Sequence, residues 1–157
     1  MLFSTFSSYG LRALVRLALL QKERNTPISI REIAAAENIS AKYLEAIFAL
    51  LKKNKIILAE KGKQGGYRLS RAIKKISLLK IIEALDGKLY MIKCISTSKN
   101  CAQKNHCFTH DLWHELNSDI REKLKKKTIF DLIEKERLMC KTKGTEIKKI
   151  DRCDKIL

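Results

Sequence analysis

Residues 29–51 read SIREIAAAENISAKYLEAIFALL and have the pattern of two short helices joined by a tight turn. Ser29 and Glu32 have the spacing of a capping box, in which each side chain satisfies a free amide at the helix start. The first helix is predicted to end at Asn38, because asparagine tolerates the left-handed turn that closes many helices. Ser40 is the predicted cap of the second helix, whose inward-facing residues follow at helical spacing: Leu44, Ile47, Phe48 and Leu51.

A short β-hairpin is predicted directly after this helix-turn-helix. Residues 56–61 and 67–69 have the composition of strands, and the glycine-rich segment 62–66 has that of a flexible hairpin tip. A helix-turn-helix followed by a basic hairpin is the arrangement of a winged helix.

Two further helices are predicted to flank the unit. Ser77 begins one that ends at Gly87. The other lies within residues 8–20, where apolar residues recur at the spacing of a core-facing stripe: Leu11, Leu14, Val15, Ala18 and Leu19. Residues 1–88 are therefore predicted to form a winged helix-turn-helix DNA-binding domain, mainly α-helical with a small β-wing.

The charge of the chain agrees with a nucleic-acid partner. The net charge is +16, and residues 52–75 hold nine basic side chains and one acid. Such an excess attracts polyanions, with affinity that falls as salt rises. A run of lysines can also be only a solvated surface, but here it adjoins a helix-turn-helix and a wing. We expect contacts to double-stranded DNA from the second helix and the wing, made by Ser40, Ala41, Lys42, Tyr43, Glu45, Lys61, Lys63, Gln64, Gly65, Gly66 and Tyr67.

A polar loop over residues 89–108 carries a candidate metal site. Cys94, Cys101, Cys107 and His110 have the spacing C-x6-C-x5-C-x2-H, and thiolates this close in a loop suggest a metal ion or an iron–sulfur cluster. Zinc in a Cys3His site, a metal-free thiol switch and small buried thiols are the alternatives. His106 competes with His110 as the fourth ligand. Three other residues are read as incidental to the site: His114, Cys140 and Cys153.

A long helix is predicted from Thr109 to about residue 127, which is roughly 30 Å at 1.5 Å per residue. That is longer than a small domain needs for its own core, so a second copy of the chain is expected to cover one face. The face consists of Leu112, Trp113, Leu116, Ile120 and Leu124. Thr128 is predicted to cap a last short helix within the segment 109–139, and residues 140–157 are expected to be a disordered tail.

Other classes of protein are disfavoured. No stretch approaches the roughly 18 apolar residues of a membrane-spanning helix, and the first residues do not resemble a signal peptide. A cytoplasmic location without a membrane partner is therefore expected, where clustered cysteines are more often ligands than disulfides. The sequence has no glycine-rich nucleotide loop and no paired acid–base residues, so an enzyme is not expected.

Five segments together resemble the iron–sulfur winged-helix regulators typified by IscR and NsrR (the Rrf-two group). The resemblance extends to about Met139. The segments are Ser4-Thr-Phe-Ser-Ser-Tyr-Gly-Leu-Arg-Ala-Leu14, Ile39-Ser-Ala-Lys-Tyr-Leu-Glu45 with Leu51-Lys-Lys-Asn54, Lys61-Gly-Lys-Gln-Gly-Gly-Tyr67, Leu85-Asp-Gly87 and Cys107-Phe-Thr-His-Asp-Leu-Trp113.

The resemblance implies a homodimeric transcriptional regulator, usually a repressor, whose cluster senses cluster supply, redox state or nitric oxide. It implies that Cys94, Cys101, Cys107 and His110 hold a 2Fe–2S cluster, although the same thiolates can hold 4Fe–4S. The chain departs from the family pattern in three ways. The first cysteine gap is one residue longer, Ser8 replaces an aspartate ligand of NsrR-like members, and Lys61 replaces a common arginine of the wing, whose fork lysine cannot reproduce.

Overall fold

A computed structural model describes residues 3–62, 65–70, 75–96 and 106–143 of the chain. Nine elements follow one another in chain order. They are α1 (Thr5–Arg24), α2 (Ile30–Glu37), α3 (Ala41–Lys53), β1 (Ile57–Glu60), β2 (Gly66–Leu69), α4 (Leu78–Asp86), a 3-10 turn (Lys93–Ile95), α5 (His110–Lys126) and α6 (Ile129–Lys143). The fold is mainly α-helical with one small antiparallel sheet, as predicted.

Serine side chains start four of the helices. Ser4, Ser29, Ser40 and Ser77 each accept a hydrogen bond from the backbone N–H three residues further on. This satisfies one of the amides that a helix start leaves without a partner. The predicted starts at Ser29, Ser40 and Ser77 are confirmed, whereas the first helix is longer than predicted because Ser4 caps it.

The ends of the helices also follow from the sequence. Asn38 ends α2 in the left-handed conformation (φ 54°), as predicted, and Gly87 follows the last residue of α4 at φ 81°. The capping box at α2 forms only in part, since the Glu32 carboxylate pairs with Arg24 at 2.5 Å. The competing guanidinium is a stronger partner than a single backbone amide.

One apolar core joins α1, α2, α3, the wing and α4. Phe48, Leu44, Ile47 and Leu51 of α3 are fully buried, as predicted. Leu14 and Leu19 of the predicted stripe of α1 are buried, whereas Leu11 and Val15 are only partly covered. Ala13 and Leu17, outside the predicted stripe, are fully buried.

The wing is fixed to the first loop of the domain. β1 and β2 pair from Ile57–Leu69 to Glu60–Gly66. Tyr67 and Ile28 exchange backbone hydrogen bonds of 2.8 and 3.0 Å, so the segment before α2 lies along the outer edge of β2. This approach is close because Gly66 has no side chain: a Cβ there would lie 2.6 Å from the Ile28 carbonyl oxygen.

The long helix α5 packs partly against its own chain. Ile120 and Leu124 contact a small core formed by Leu79, Ile82 and Leu89, whereas Leu112 and Leu116 are 49% and 38% exposed. Ile120 and Leu124, two of the five residues predicted to contact a second copy, therefore pack within the chain, because the apolar face of α4 lies against the end of α5.

The last helix is longer than predicted and returns to the first. Thr128 donates from its N–H (2.7 Å) and its hydroxyl (2.9 Å) to Asp131, which fixes the start of α6. α6 continues to residue 143 rather than ending near 138, so the predicted boundary at residue 140 lies inside a helix. It packs against α1. None of the helices in the described ranges has both the length and the apolar character needed to cross a bilayer.

Candidate nucleic-acid interface and metal centre

The outward side of α3 and its cap carry exposed side chains. Lys42 and Glu45, both predicted DNA contacts, are exposed, and Ser40 is exposed at the cap. Ala46 and Ala49 complete the same face but were missed, because small apolar residues in a helix are usually assigned to its packed side. Their spacing from Lys42 (i+4 and i+7) is the signal that could have found them.

Ala41 and Tyr43, also predicted DNA contacts, lie half-buried beside α1. The ring of Tyr43 makes edge contacts with Phe6 and Tyr9 at 5.0 and 5.8 Å between centroids. Its hydroxyl is 3.0 Å from the Thr5 hydroxyl. Tyr43 therefore holds the start of α3 against the start of α1.

The predicted wing residues divide into exposed and packed groups. Lys61 is exposed next to Gly62, whose φ is 119°, whereas Gly65, Gly66 and Tyr67 are half-buried. The Tyr67 ring contacts that of Phe48 at 4.9 Å, so it serves as part of the core. Lys63 and Gln64 lie outside the described residues.

Arg68, on β2, is held by contacts within the chain. It pairs with Glu60 across the sheet at 2.6 Å and donates to the Asn25 carbonyl at 3.0 Å. These contacts join the wing to the end of α1. Among the described residues, Lys61 is the basic side chain nearest the tip of the wing.

Cys107 and His110 meet at the start of α5. The His110 N–H donates to the Cys107 carbonyl at 3.1 Å, and the Cys107 sulfur is 3.4 Å from the Thr109 hydroxyl. The hydrogen bond from that hydroxyl, together with the N–H groups of Thr109 and His110, lowers the pKa of the Cys107 thiol. These hydrogen bonds favour the thiolate more than in a free cysteine, and the thiolate is the form that binds metal or takes part in redox chemistry.

His110 has the geometry of a ligand that a second group orients. Its Nδ1 is 3.3 Å from the Asp111 carboxylate, and its side chain is 14% exposed. The rings of His110 and His114 stack at 6.2 Å. His106 and His114 are both exposed.

Cys94 lies in the 3-10 turn, which contacts α5. The segment before it is tied to α5 twice: Leu89 accepts from Arg121 at 3.1 Å, and the Met91 N–H donates to Asn117 at 3.1 Å. Cys101 lies outside the described residues. Within the described ranges no three metal-binding side chains converge, and two of the four predicted ligands, Cys107 and His110, lie three residues apart at the start of α5.

Comparison with known proteins gives a consistent family. A model of the Rrf2 family, described as an iron-dependent transcriptional regulator, matches residues 3–135. The chain is 30% identical over 131 residues to the transcriptional regulator IscR of Erwinia tasmaniensis, covering 83% of this chain and 78% of that protein.

Two solved structures have the same fold. CymR, the global cysteine regulator of B. subtilis, aligns with a TM-score of 0.69 at 26% identity, covering 86% of this chain and 98% of CymR. IscR of T. potens aligns with a TM-score of 0.66 at 26% identity, covering 96% and 94%. These relatives are winged-helix transcriptional regulators and not enzymes, which confirms the predicted fold, DNA binding and absence of enzymatic activity. The chain belongs to the Rrf2 family of transcriptional regulators.

Proposed function

We propose that the chain is a homodimeric repressor whose affinity for an operator is set by an iron–sulfur cluster, most simply 2Fe–2S, bound by Cys94, Cys101, Cys107 and His110. The observation that carries this proposal is the backbone hydrogen bond that holds Cys107 beside His110 at the start of α5, with the Cys94 segment tied along the same helix. The repressor role follows from the family resemblance.

The direction of the loop supports a shared site. Residues 89 and 91 are joined to residues 121 and 117 of α5, so the segment runs antiparallel to the helix. Two extended residues advance about 6–7 Å, and four helical residues advance about 6 Å, so the two spacings match. Continuing in this direction brings Cys94 towards the first turn of α5, where Cys107 and His110 lie.

The described donors fit such a centre chemically. Hydrogen bonds lower the pKa of the Cys107 thiol, and the hydrogen bond between His110 Nδ1 and Asp111 leaves Nε2 as the ligand atom. A bound cluster would supply a redox-active, oxygen-sensitive group of net negative charge. Lys93, beside Cys94, would offset part of that charge.

A short series of contacts connects this loop with the DNA-binding elements. Arg121 of α5 pairs with Glu83 of α4 at 2.6 Å. At the end of α4, Asp86 binds the cap of α1, and α1 supports α3 through Tyr43. Movement of the 89–108 loop on gain or loss of the cluster would therefore reach α3 through packed elements.

A thiol sensor without iron is the second candidate. Cys107 is a partly exposed thiol with a lowered pKa, which is the environment of a reactive cysteine. The similar structure of CymR, the global cysteine regulator of B. subtilis, supports this candidate. A zinc ion on the same four residues is a variant of this candidate.

The deciding measurement is metal content after purification without oxygen. Visible absorption with matching iron and sulfide per chain supports the cluster, one zinc per chain supports the zinc site, and a metal-free protein after anaerobic reconstitution supports the thiol sensor. His110→Ala should lose or shift the visible bands. His114→Ala is the matched control, because its ring is adjacent but not a proposed ligand.

Operator binding is then compared with and without the cluster. The operator is obtained by selection from a random duplex library, because the sequence of the chain does not specify it. Cys101→Ala should remove the cluster and change the affinity, whereas Cys153→Ala should do neither. Equal affinity of the loaded and empty protein would contradict cluster sensing while leaving DNA binding intact.

A further inference from the structure

A cavity of about 230 Å3 lies where α1 and α2 meet α6. Drug-sized ligands occupy pockets of roughly 300–1,000 Å3, so this one suits a smaller molecule. Its lining combines apolar and charged side chains. The apolar ones are Leu11, Val15 and Leu132, and the charged ones are Arg12, Arg16, Glu37, Lys135 and Glu136.

Among the charged side chains of the lining, Arg16 and Glu37 form a buried ion pair, whereas Arg12 and Lys135 are exposed. Arg16 and Glu37 are 7% and 5% exposed, and Arg16 Nε donates to Glu37 at 2.9 Å. Arg12 donates to the Glu37 carboxylate at 3.0 Å and to its carbonyl at 2.9 Å. The contact from Arg16 uses only one N–H of its guanidinium, so further donors of a charged, nine-tenths buried side chain border the cavity.

Charge selects the type of molecule. Three cationic and two anionic side chains line the cavity, which leaves an excess of one positive charge. In a partly buried site such an excess is best balanced by one negative charge. Leu11, Val15 and Leu132 offer the apolar surface for a short aliphatic chain. We propose that this cavity binds a small aliphatic monocarboxylate, with the carboxylate towards Arg16 and Lys135.

Binding there would act on the arrangement of the whole chain. The ligand would touch α1 and α2 on one side and α6 on the other, and α6 is joined to α5 through Thr128. It would therefore favour the arrangement in which α6 packs on α1. This regulatory consequence rests on the DNA-binding function, whereas the binding site stands without it and without the cluster.

Calorimetric titration of isovalerate into the full-length protein tests the site. Saturable binding with a dissociation constant of about 1 mM is expected, which corresponds to roughly −4 kcal/mol. The neutral isostere isovaleramide should bind at least about tenfold more weakly, because it cannot balance the excess positive charge. Equal binding of acid and amide, or no saturation at 20-fold the expected constant, roughly 20 mM, would overturn the proposal.

Variants distinguish binding in the cavity from a general attraction of the anion to a basic protein. Lys135→Glu should weaken isovalerate binding by about threefold to tenfold, since exposed charge pairs contribute up to about 1 kcal/mol and here the charge is reversed. Lys123→Glu makes the same change on α5 and should leave binding unchanged. Leu132→Trp should fill the cavity and abolish binding, with folding checked by circular dichroism. If Leu132→Trp fails to fold, Lys135→Glu against Lys123→Glu decides: equal binding by these two variants would overturn the proposal.

Discussion

Ser4 and Asp86 are 82 residues apart in sequence and are joined by two hydrogen bonds. The Ser4 N–H donates to Asp86 Oδ2 at 3.0 Å, and the Ser4 hydroxyl donates to Oδ1 at 2.5 Å. Ser4 is the cap of α1, and Asp86 is the last residue of α4 before the cysteine loop. The junction therefore fastens the element that leads into the candidate sensor to the helix that supports α3.

Because of these hydrogen bonds, we expect Asp86→Asn to lower the free energy of unfolding by an amount that depends on pH. Partial burial acts to raise the pKa of Asp86, but the hydrogen bonds from Ser4 outweigh it and the pKa is lowered. The carboxylate therefore stabilises the fold above the unfolded-chain pKa of about 3.9, and this contribution disappears as the pH falls through the folded value. Since the group is largely exposed and screened, a loss of only about 1 kcal/mol is expected at pH 7.

Urea unfolding at pH 7 and at decreasing pH measures this effect. The difference between Asp86→Asn and the parent protein should narrow as the pH falls below about 4. Asp119→Asn, at an exposed position of α5, is the control and should show little change at any pH. A difference that persists unchanged at the lowest pH at which both proteins fold would contradict the role of the charge.

Gly66→Ala should destabilise the protein strongly. The added Cβ would lie 2.6 Å from the oxygen and 2.7 Å from the carbon of the Ile28 carbonyl, and backbone cannot move aside as a flexible side chain can. Overpacking of this kind costs about 1–3 kcal/mol, or roughly 2–10 °C in melting temperature for a chain of this size.

Gly62→Ala is the matched control for the wing. Gly62 has a φ of 119°, and nothing lies within 4 Å of an added Cβ. The substitution therefore costs only the backbone strain of placing alanine at a positive φ. We expect its melting temperature to lie between those of the parent and Gly66→Ala. Equal melting temperatures of Gly66→Ala and the parent would show that the contact with Ile28 is not required.

The helix-turn-helix was predictable because its signals are local. A serine cap and an asparagine with a positive φ are decided by the residues within one turn, so Ser40 and Asn38 were placed correctly from sequence. Which face of each helix is covered depends on distant partners. From the sequence alone Tyr43 was predicted to contact DNA, whereas in the structure it packs against Phe6 and Thr5 of α1.

The candidate metal centre shows the same limit. The spacing of Cys107 and His110 predicted their proximity, since residues three apart at a helix start are neighbours. The contact between the Thr109 hydroxyl and the Cys107 sulfur depends on backbone geometry outside any spacing rule. Cys101 lies outside the described residues, so its membership of the site stays a prediction.

Ala46→Glu should weaken specific DNA binding without unfolding the protein. Ala46 is exposed on α3 beside Lys42 and Glu45, and in the proposed interface its methyl group would allow close approach to the groove. A carboxylate there would be repelled by phosphate and would add bulk, so affinity should fall by about tenfold or more, as for a contact worth roughly 1–3 kcal/mol.

Fluorescence anisotropy with the selected operator measures this loss. Ser118→Glu, at an exposed position of α5, adds the same charge and controls for the change in net charge. If both variants lost affinity equally, the effect would be long-range electrostatics and not contact at α3. Melting temperatures close to the parent value would confirm that Ala46→Glu remains folded.

Substitutions in the exposed first half of α5 are expected to disrupt the dimer. Leu112 and Leu116 lie one turn apart and are 49% and 38% exposed, whereas Ile120 packs on α4 of its own chain. Leu112→Glu combined with Leu116→Glu should therefore give a folded monomer, because charges cannot be buried unpaired in an interface. Ile120→Ala should lower the unfolding free energy by about 1–2 kcal/mol, less than a fully buried truncation.

Sedimentation velocity separates these outcomes because it reports mass independently of stability. The parent protein is expected at the mass of two chains, the double variant at the mass of one, and Ile120→Ala at the mass of two. A double variant that still sediments as two chains would place the interface elsewhere on the molecule. A parent protein that sediments as one chain would contradict the proposed homodimer, and operator recognition would then need a single winged helix to suffice.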